Sequence, residues 1–410
     1  MAFEHPGRLV QPAPRARSAP QQRLIRPIVL TVALLSILML TGACNALPQI
    51  GAAPPTPTVR PRDRLTPTPL PRIADAGTVV EPNSQTYVGG VTMPLALNFA
   101  PDGRLFFNEA TNGTVRVAER IDGQGRLLPQ AFAQLATAKG PESGMLGLAL
   151  HPQFAQNHWV YLYYTEPDPN RQDRVPLRNR IVRYTERDNV GTEMTVILDD
   201  IGVSRRAVHN GGILRFGADG KLYVTVGNAE NEANSQDPTK LNGKILRMND
   251  DGSVPDDNPT RGSLVYALGF RNPFGMTFEP TTGQVWVTEN SGDRDDEINA
   301  VEPGGNYGFP KFEGAGDDPK MKNPVWSSGS RTIGPTGLVF YTGDQLPQFK
   351  GDLFFCAMNT GELMRLRLAA DQKSVVAGEA VTKNCHLDAV NGPDGALYYS
   401  TINQIFRLGQ

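Results

Sequence analysis

The 410-residue chain carries 40 Lys plus Arg against 42 Asp plus Glu, a formal net charge of −2 at pH 7. Together with the lack of any sustained basic stripe, that balance argues against nucleic acid as a partner. Gly (42) and Pro (34) are both abundant, and the length admits one large domain or two ordinary ones.

At the N-terminus, Arg15, Arg17, Arg23 and Arg26 precede the apolar run IVLTVALLSILML, which ends in TGAC. This is the layout of an export signal with small residues before a cysteine. Cleavage there removes residues 1–43 and leaves Cys44 as a lipidated N-terminus, so the bulk of the chain is expected outside the cytoplasm, anchored to a membrane or envelope. A plain membrane anchor is the alternative, although the run is short of the ~20 apolar residues of a spanning helix. Residues 44–77 form a Pro/Thr-rich stretch in which repeated prolines deny the backbone a helix or a ladder, giving an extended, disordered tether. Folding is expected to begin near Thr78, and Cys356 and Cys385 are the cysteines left to that domain. In an oxidising compartment they could pair; the sequence leaves this open.

One hairpin-like pattern then recurs six times at intervals of about 50 to 65 residues, starting at Leu95, Leu146, Gly211, Phe274, Thr336 and Asp388. Apolar residues alternate on both sides of a turn that is often Asp-Gly, as at Asp102, Asp219 and Asp394. No long stretch between copies has helical periodicity, and a lone hairpin cannot bury its apolar face, so the units must pack on one another. The expected fold is all-β, a six-bladed β-propeller over residues 78–410 with loops from every blade meeting over a central channel. A large sandwich with coincidental turns fits the regular spacing less well.

His209 lies just before the third copy, on a loop expected at the channel mouth, followed by Gly211 and Gly212, which let backbone or ligand approach closely. Its imidazole suits a proton acceptor near neutral pH, and a structural histidine fits the same position. Five segments settle on a closer comparison: HNGGILRFGADGKLYVTVGN, NGKILRMNDDGSVPDDNP, YALGFRNPFGMTFEP, TENSGDRDDEIN and GGNYGFP occur in this order. Together they resemble the glucose/sorbosone dehydrogenase family, which includes the soluble aldose sugar dehydrogenases dependent on pyrroloquinoline quinone (PQQ), and the resemblance covers about residues 80–410.

The resemblance implies a six-bladed propeller with PQQ over the channel beside calcium, oxidation of an aldose at C1 to the lactone, and an external electron acceptor. It makes His209 the base that takes the hydroxyl proton while hydride passes to the quinone. It sets the Arg271 guanidinium by the quinone oxygens, where a fixed cation stabilises developing negative charge. Asn272, Asn290, Ser291, Gly292 and Thr336 fall at cofactor-contact positions, and the main-chain carbonyls of Ser291 and Gly292 are the implied calcium ligands. Asp295, Asp296 and Glu297 are further hard-oxygen candidates whose spacing does not show that they converge.

Several family positions differ. A commonly found RIRD segment is matched by CHLD at residues 385–388, so Cys385 and Leu387 stand where arginines are expected. Asn359 replaces a lysine, Glu142 a glutamine in the second copy, and Asn228 an aspartate that partners the histidine. PQQ carries three carboxylates, and each charge-assisted hydrogen bond contributes ~1.5 to 3 kcal/mol. Losing three without replacement would lower affinity on the order of a thousandfold or more. Arg205, Arg206 and Arg331 lie in predicted channel-facing loops where they could compensate, and Glu142 could act on His209 as a catalytic partner in place of the missing aspartate. Two functions stay open: a quinone-dependent sugar dehydrogenase, or a propeller that has lost PQQ and binds a carbohydrate or protein partner. No Gly-x-Ser-x-Gly elbow supports a hydrolase. Trp326 and Tyr307 suit either a sugar platform or blade packing.

Overall fold

The computed structural model describes residues 70–74 and 82–410. Cys44, the signal-type segment and the tether up to residue 69 lie outside these residues, as does the expected domain start at Thr78. Among the described residues, six antiparallel sheets follow one another along the chain, five of four strands and one of five. The six recurring hairpins are the first two strands of these sheets.

The first strands are Pro94–Phe99, Met145–Leu150, Gly211–Phe216, Pro273–Phe278, Pro335–Phe340 and Ala389–Asn391. Each pairs with a second strand: Leu105–Glu109, Trp159–Pro167, Leu222–Val226, Val285–Glu289, Leu353–Ala357 and Leu397–Ser400. First strands of neighbouring sheets contact one another around a central channel, which makes the sheets the six blades of a propeller. The Asp-Gly turns work as expected: Gly103, Gly220 and Gly395 have φ of 89°, 73° and 77°, the left-handed region that glycine enters without strain.

Glycines in the inner strands serve a different end. A Cβ on Gly147 would lie 2.0 Å from Gly212 O, and one on Gly275 would lie 1.9 Å from Thr336 O. The second, third, fourth and fifth blades can therefore converge on the axis only where side chains are missing. A register shift interrupts each of the first five inner strands within a few residues of its start. Such bulges turn the strand ends and leave N–H groups unpaired. Threonine hydroxyls of the second strands accept them: Thr225 Oγ1 takes Gly212 N–H (3.2 Å) and Ile213 N–H (3.0 Å), and Thr288 Oγ1 takes Gly275 N–H (2.7 Å).

Apolar side chains fill the spaces between blades. Leu146, Tyr161 and Tyr163 pack on Leu214, Leu222 and Val224 between the second and third blades. Trp286 and Ile298 pack on Phe340 and Phe355 between the fourth and fifth. Trp326 belongs to the latter group, its ring 5.6 Å from Phe355. Tyr307 is 5% exposed, stacks on Phe270 at 4.8 Å and donates from its hydroxyl to Ala300 O (2.7 Å). Blade packing thus accounts for both aromatics, in place of the sugar platform.

Two features of the fold were not read from the sequence. The strand Asn83–Gly89 pairs with Gln404–Gly409, so the last blade takes its outer strand from the start of the domain and the ring is closed by hydrogen bonds. Residues 70–74, assigned to the tether, lie against the fifth blade: Gly378 N–H donates to Pro71 O (3.1 Å), the Arg367 guanidinium to Ala74 O (3.0 Å), and Ile73 is buried. Lower in the channel, Arg215 of the third blade pairs with buried Asp388 at the start of the sixth (3.1 Å), and Asp388 also accepts Leu97 N–H of the first (2.8 Å). Cys356 and Cys385 form a disulfide between the second strand of the fifth blade and the chain entering the sixth.

Candidate functional site

Because adjacent strands run antiparallel, the loops that enter first strands and those that leave second strands gather at one end of the channel. A cavity of about 330 Å³ opens there. Glu142 and His209 reach it from the chain entering the second and third blades, and Arg271 and Asn272 from that entering the fourth. Asn290, Ser291 and Gly292 follow its second strand, Thr336 opens the fifth blade, and Asn359 follows the second strand of that blade. Glu142, His209, Arg271, Asn272, Asn290, Ser291, Gly292 and Thr336 therefore all line this one cavity, whereas Asp295 and Glu297 do not.

His209 is held at three points. Its N–H donates to Glu142 Oε2 (2.7 Å), its C=O accepts from Ala229 N–H (3.1 Å), and its Nδ1 meets Asn228 Oδ1 (3.0 Å). These contacts fix a φ of 55°, which costs a non-glycine residue about 1 kcal/mol or more. Asn228 Oδ1 also accepts Glu230 N–H (2.9 Å), which identifies that atom as the oxygen. Nδ1 must then carry the imidazole proton, leaving Nε2 as the acceptor. Burial, and next the neighbouring Arg271 guanidinium, hold the imidazole below its ordinary pKa of 6.5, so it is neutral at pH 7.

Glu142 is not bonded to that imidazole. Its Oε2 accepts the main-chain N–H of His209 and the side-chain amide of Asn272 (3.0 Å), which makes it a positioning residue in place of the catalytic partner expected from the sequence. Asn272 joins three blades: Nδ2 to Glu142, Oδ1 to Gly211 N–H (3.2 Å) and its own N–H to Glu289 Oε1 (2.6 Å). Arg271 N–H donates to Glu289 Oε2 (3.2 Å), and its guanidinium to Asn290 O (2.9 Å). Glu289 was missed by the sequence reading. The one signal for it was a glutamate closing the otherwise apolar and threonine strand Val-Trp-Val-Thr-Glu. Burial pushes its carboxyl well above the ordinary range.

Asp295, Asp296 and Glu297 do not converge on a cation. Asp296 accepts the N–H groups of Ser291 (2.9 Å), Ile333 (2.6 Å) and Gly334 (2.8 Å). Glu297 accepts from Gly314 N–H (2.6 Å) and Asn299 Nδ2 (2.9 Å), while Asp295 receives the Ser327 hydroxyl (3.2 Å). Among the described residues no three His, Cys, Asp or Glu side chains are grouped to hold a metal. The main-chain oxygens of Ser291 and Gly292 accept no hydrogen bond among the described residues.

The cation count at the cavity is low. Among the described residues Arg271 is the only Lys or Arg in its lining; Arg205, Arg206 and Arg331 are absent from it, and Arg206 instead pairs with Glu230 at the surface. Cys385 is committed to the disulfide, and Leu387 is buried in the core, so neither lines the cavity. Thr336 turns its hydroxyl to Cys356 O (3.2 Å) and His386 O (2.9 Å), bracing the wall at the disulfide.

Comparison with known proteins matches this architecture. The profile of the family Glucose / Sorbosone dehydrogenase matches residues 91–408. Quinoprotein glucose dehydrogenase B of Acinetobacter calcoaceticus is 31% identical over 58% of this chain, which spans 54% of that protein. Aldose sugar dehydrogenase YliI of Escherichia coli K12 is 27% identical over 75% of this chain and 86% of its own. The PQQ-bound form of an aldose sugar dehydrogenase from Streptomyces coelicolor superposes with a TM-score of 0.69 at 25% identity, covering 81% of this chain and 99% of its own. The chain belongs to the glucose/sorbosone dehydrogenase family.

Proposed function

We propose that the cavity is the active site of a PQQ-dependent sugar dehydrogenase that oxidises an aldose at C1 to the lactone and passes the electrons to an external acceptor. The chain would work outside the cytoplasm, lipid-anchored through Cys44. The observation that carries this reading is the convergence on one cavity of a neutral histidine, whose Nε2 is unengaged among the described residues, and a fixed guanidinium. Such a pair suits removal of a hydroxyl proton beside a site of developing negative charge.

The donor set fits the group. Arg271 would hold the quinone oxygens, and Asn359 and Thr332 supply amide and hydroxyl donors to the carboxylates. When bound, PQQ supplies the hydride acceptor. Calcium is a hard cation that takes oxygen ligands, and the unengaged carbonyls of Ser291 and Gly292 would hold it at the cavity wall. His209 Nε2 accepts the C1 hydroxyl proton while Asn228 holds the ring in one tautomer. Glu142 and Glu289, through Asn272 and the main chain of Arg271, keep the base and the guanidinium in fixed relation.

The test is aldose oxidation with PQQ, calcium and an artificial electron acceptor. His209→Ala should lower kcat by 10²- to 10⁴-fold, the usual worth of a general base, with a small change in KM. An unchanged kcat would overturn the assignment. A second reading, a propeller that binds a carbohydrate or protein partner without PQQ, is favoured by the single guanidinium and by the disulfide and buried leucine at the arginine positions.

A further inference from the structure

Resting on the sugar site proposed above, we infer that Glu142 selects the substrate, and that the cavity takes an aldose bearing a protonated amino group in preference to a neutral aldose. Both donors to Glu142 arrive at one oxygen: Oε2 accepts His209 N–H (2.7 Å) and Asn272 Nδ2 (3.0 Å). Oε1 has no hydrogen-bond partner among the described residues, and the residue lines the cavity. Asn272 is itself pinned by Gly211 and Glu289, so the carboxylate cannot turn away to find one.

Arg271 keeps its positive charge in the same lining, so the preference rests on direct contact with the unengaged Oε1 of Glu142. Arg271 directs its guanidinium to Asn290 O (2.9 Å), and both oxygens of Asp296 are taken by main-chain N–H groups. A sugar hydroxyl can be satisfied by any acceptor. A fixed, half-buried carboxylate beside the base gains more from an ammonium, because both partners are charged and less screened than in bulk water.

The probes are glucosamine, N-acetylglucosamine and glucose, titrated calorimetrically into the full chain without quinone, for wild type and Glu142→Gln. A glutamine carbonyl can keep both donors of Oε2 while replacing Oε1 with an amide, and thermal unfolding verifies the variant's fold. Wild type should bind glucosamine at least tenfold tighter than N-acetylglucosamine or glucose, and Glu142→Gln should bring the first two within about twofold. The wild-type ratio should also shrink between 20 and 500 mM salt, a readout that needs no variant. Equal binding of the first two sugars by wild type, survival of the preference in a folded Glu142→Gln, or no binding of any sugar overturns the inference. Preference without oxidation on adding PQQ and calcium would sink the dehydrogenase reading alone; oxidation without preference would sink this inference alone.

Discussion

With Asn228 at Nδ1 the histidine has a fixed tautomer and a neutral amide, in place of a carboxylate, bonded to that nitrogen. Burial and Arg271 lower its pKa, so its base form persists down to pH values below 6.5, and activity should be lost only as pH falls through that lowered value. Asn228→Asp adds a charge that favours imidazolium. The acid limb of the kcat/KM profile should therefore move to higher pH in the variant; an unmoved limb would show that His209 is not the group titrating. Glu297 makes a second prediction. Burial raises its carboxyl from 4.5 to about 7, so between those pH values the folded chain holds a proton that the unfolded chain has released. Stability then falls as pH rises through this window. Glu297→Gln removes that loss, and the unpaired Asn299 Oδ1 can accept its amide after a side-chain flip. The variant should gain in Tm relative to wild type at pH 8 but not at pH 4.5, by differential scanning calorimetry.

The loop between the second and third strands of the third blade positions Asn228, and one buried side chain bonds three of its carbonyls. Lys244 is fully buried and donates to Asn234 O (2.5 Å), Asn242 O (2.8 Å) and Ser235 O (3.2 Å), while Asn234 Nδ2 donates to Asn228 O (2.9 Å). Lys244→Met strands the Asn234 and Asn242 carbonyls, at about 1 kcal/mol or more each, while Ser235 O keeps the Gly269 N–H (2.9 Å). Urea unfolding should show a loss of about 2 kcal/mol, and a loss under 1 kcal/mol would mean the loop is held by other contacts. The hairpins were legible because alternation and Asp-Gly turns are local signals. His209, Arg271 and the Asn290 to Gly292 loop were legible because their motifs are contiguous. Glu289, Lys244 and the real role of Glu142 were not, since each acts through a main-chain N–H or C=O supplied by a distant segment. Trp326 was ambiguous for the same reason: its partner Phe355 comes from the next blade.

At the scale of the whole ring, closure depends on contacts between the two ends of the domain and across the channel. Asp388 bonds the first blade through Leu97 N–H and the third through Arg215, and it is 1% exposed. Asp388→Ala leaves the guanidinium without that partner, and breaking a buried pair from one side costs about 3 to 5 kcal/mol. A loss of that size in denaturant unfolding is expected; less than 1 kcal/mol would mean that the closing strand Asn83–Gly89 and the interblade cores hold the ring without it. The same closure brings loops of four blades to one cavity, and the central claim is that this cavity holds a quinone with one guanidinium and neutral donors. Calorimetric titration of PQQ into the purified protein, with and without calcium, tests it most directly. Calcium-dependent binding at one quinone per chain, weakened at least tenfold by Arg271→Ala, is the predicted result. No binding at high micromolar quinone with calcium present would contradict it.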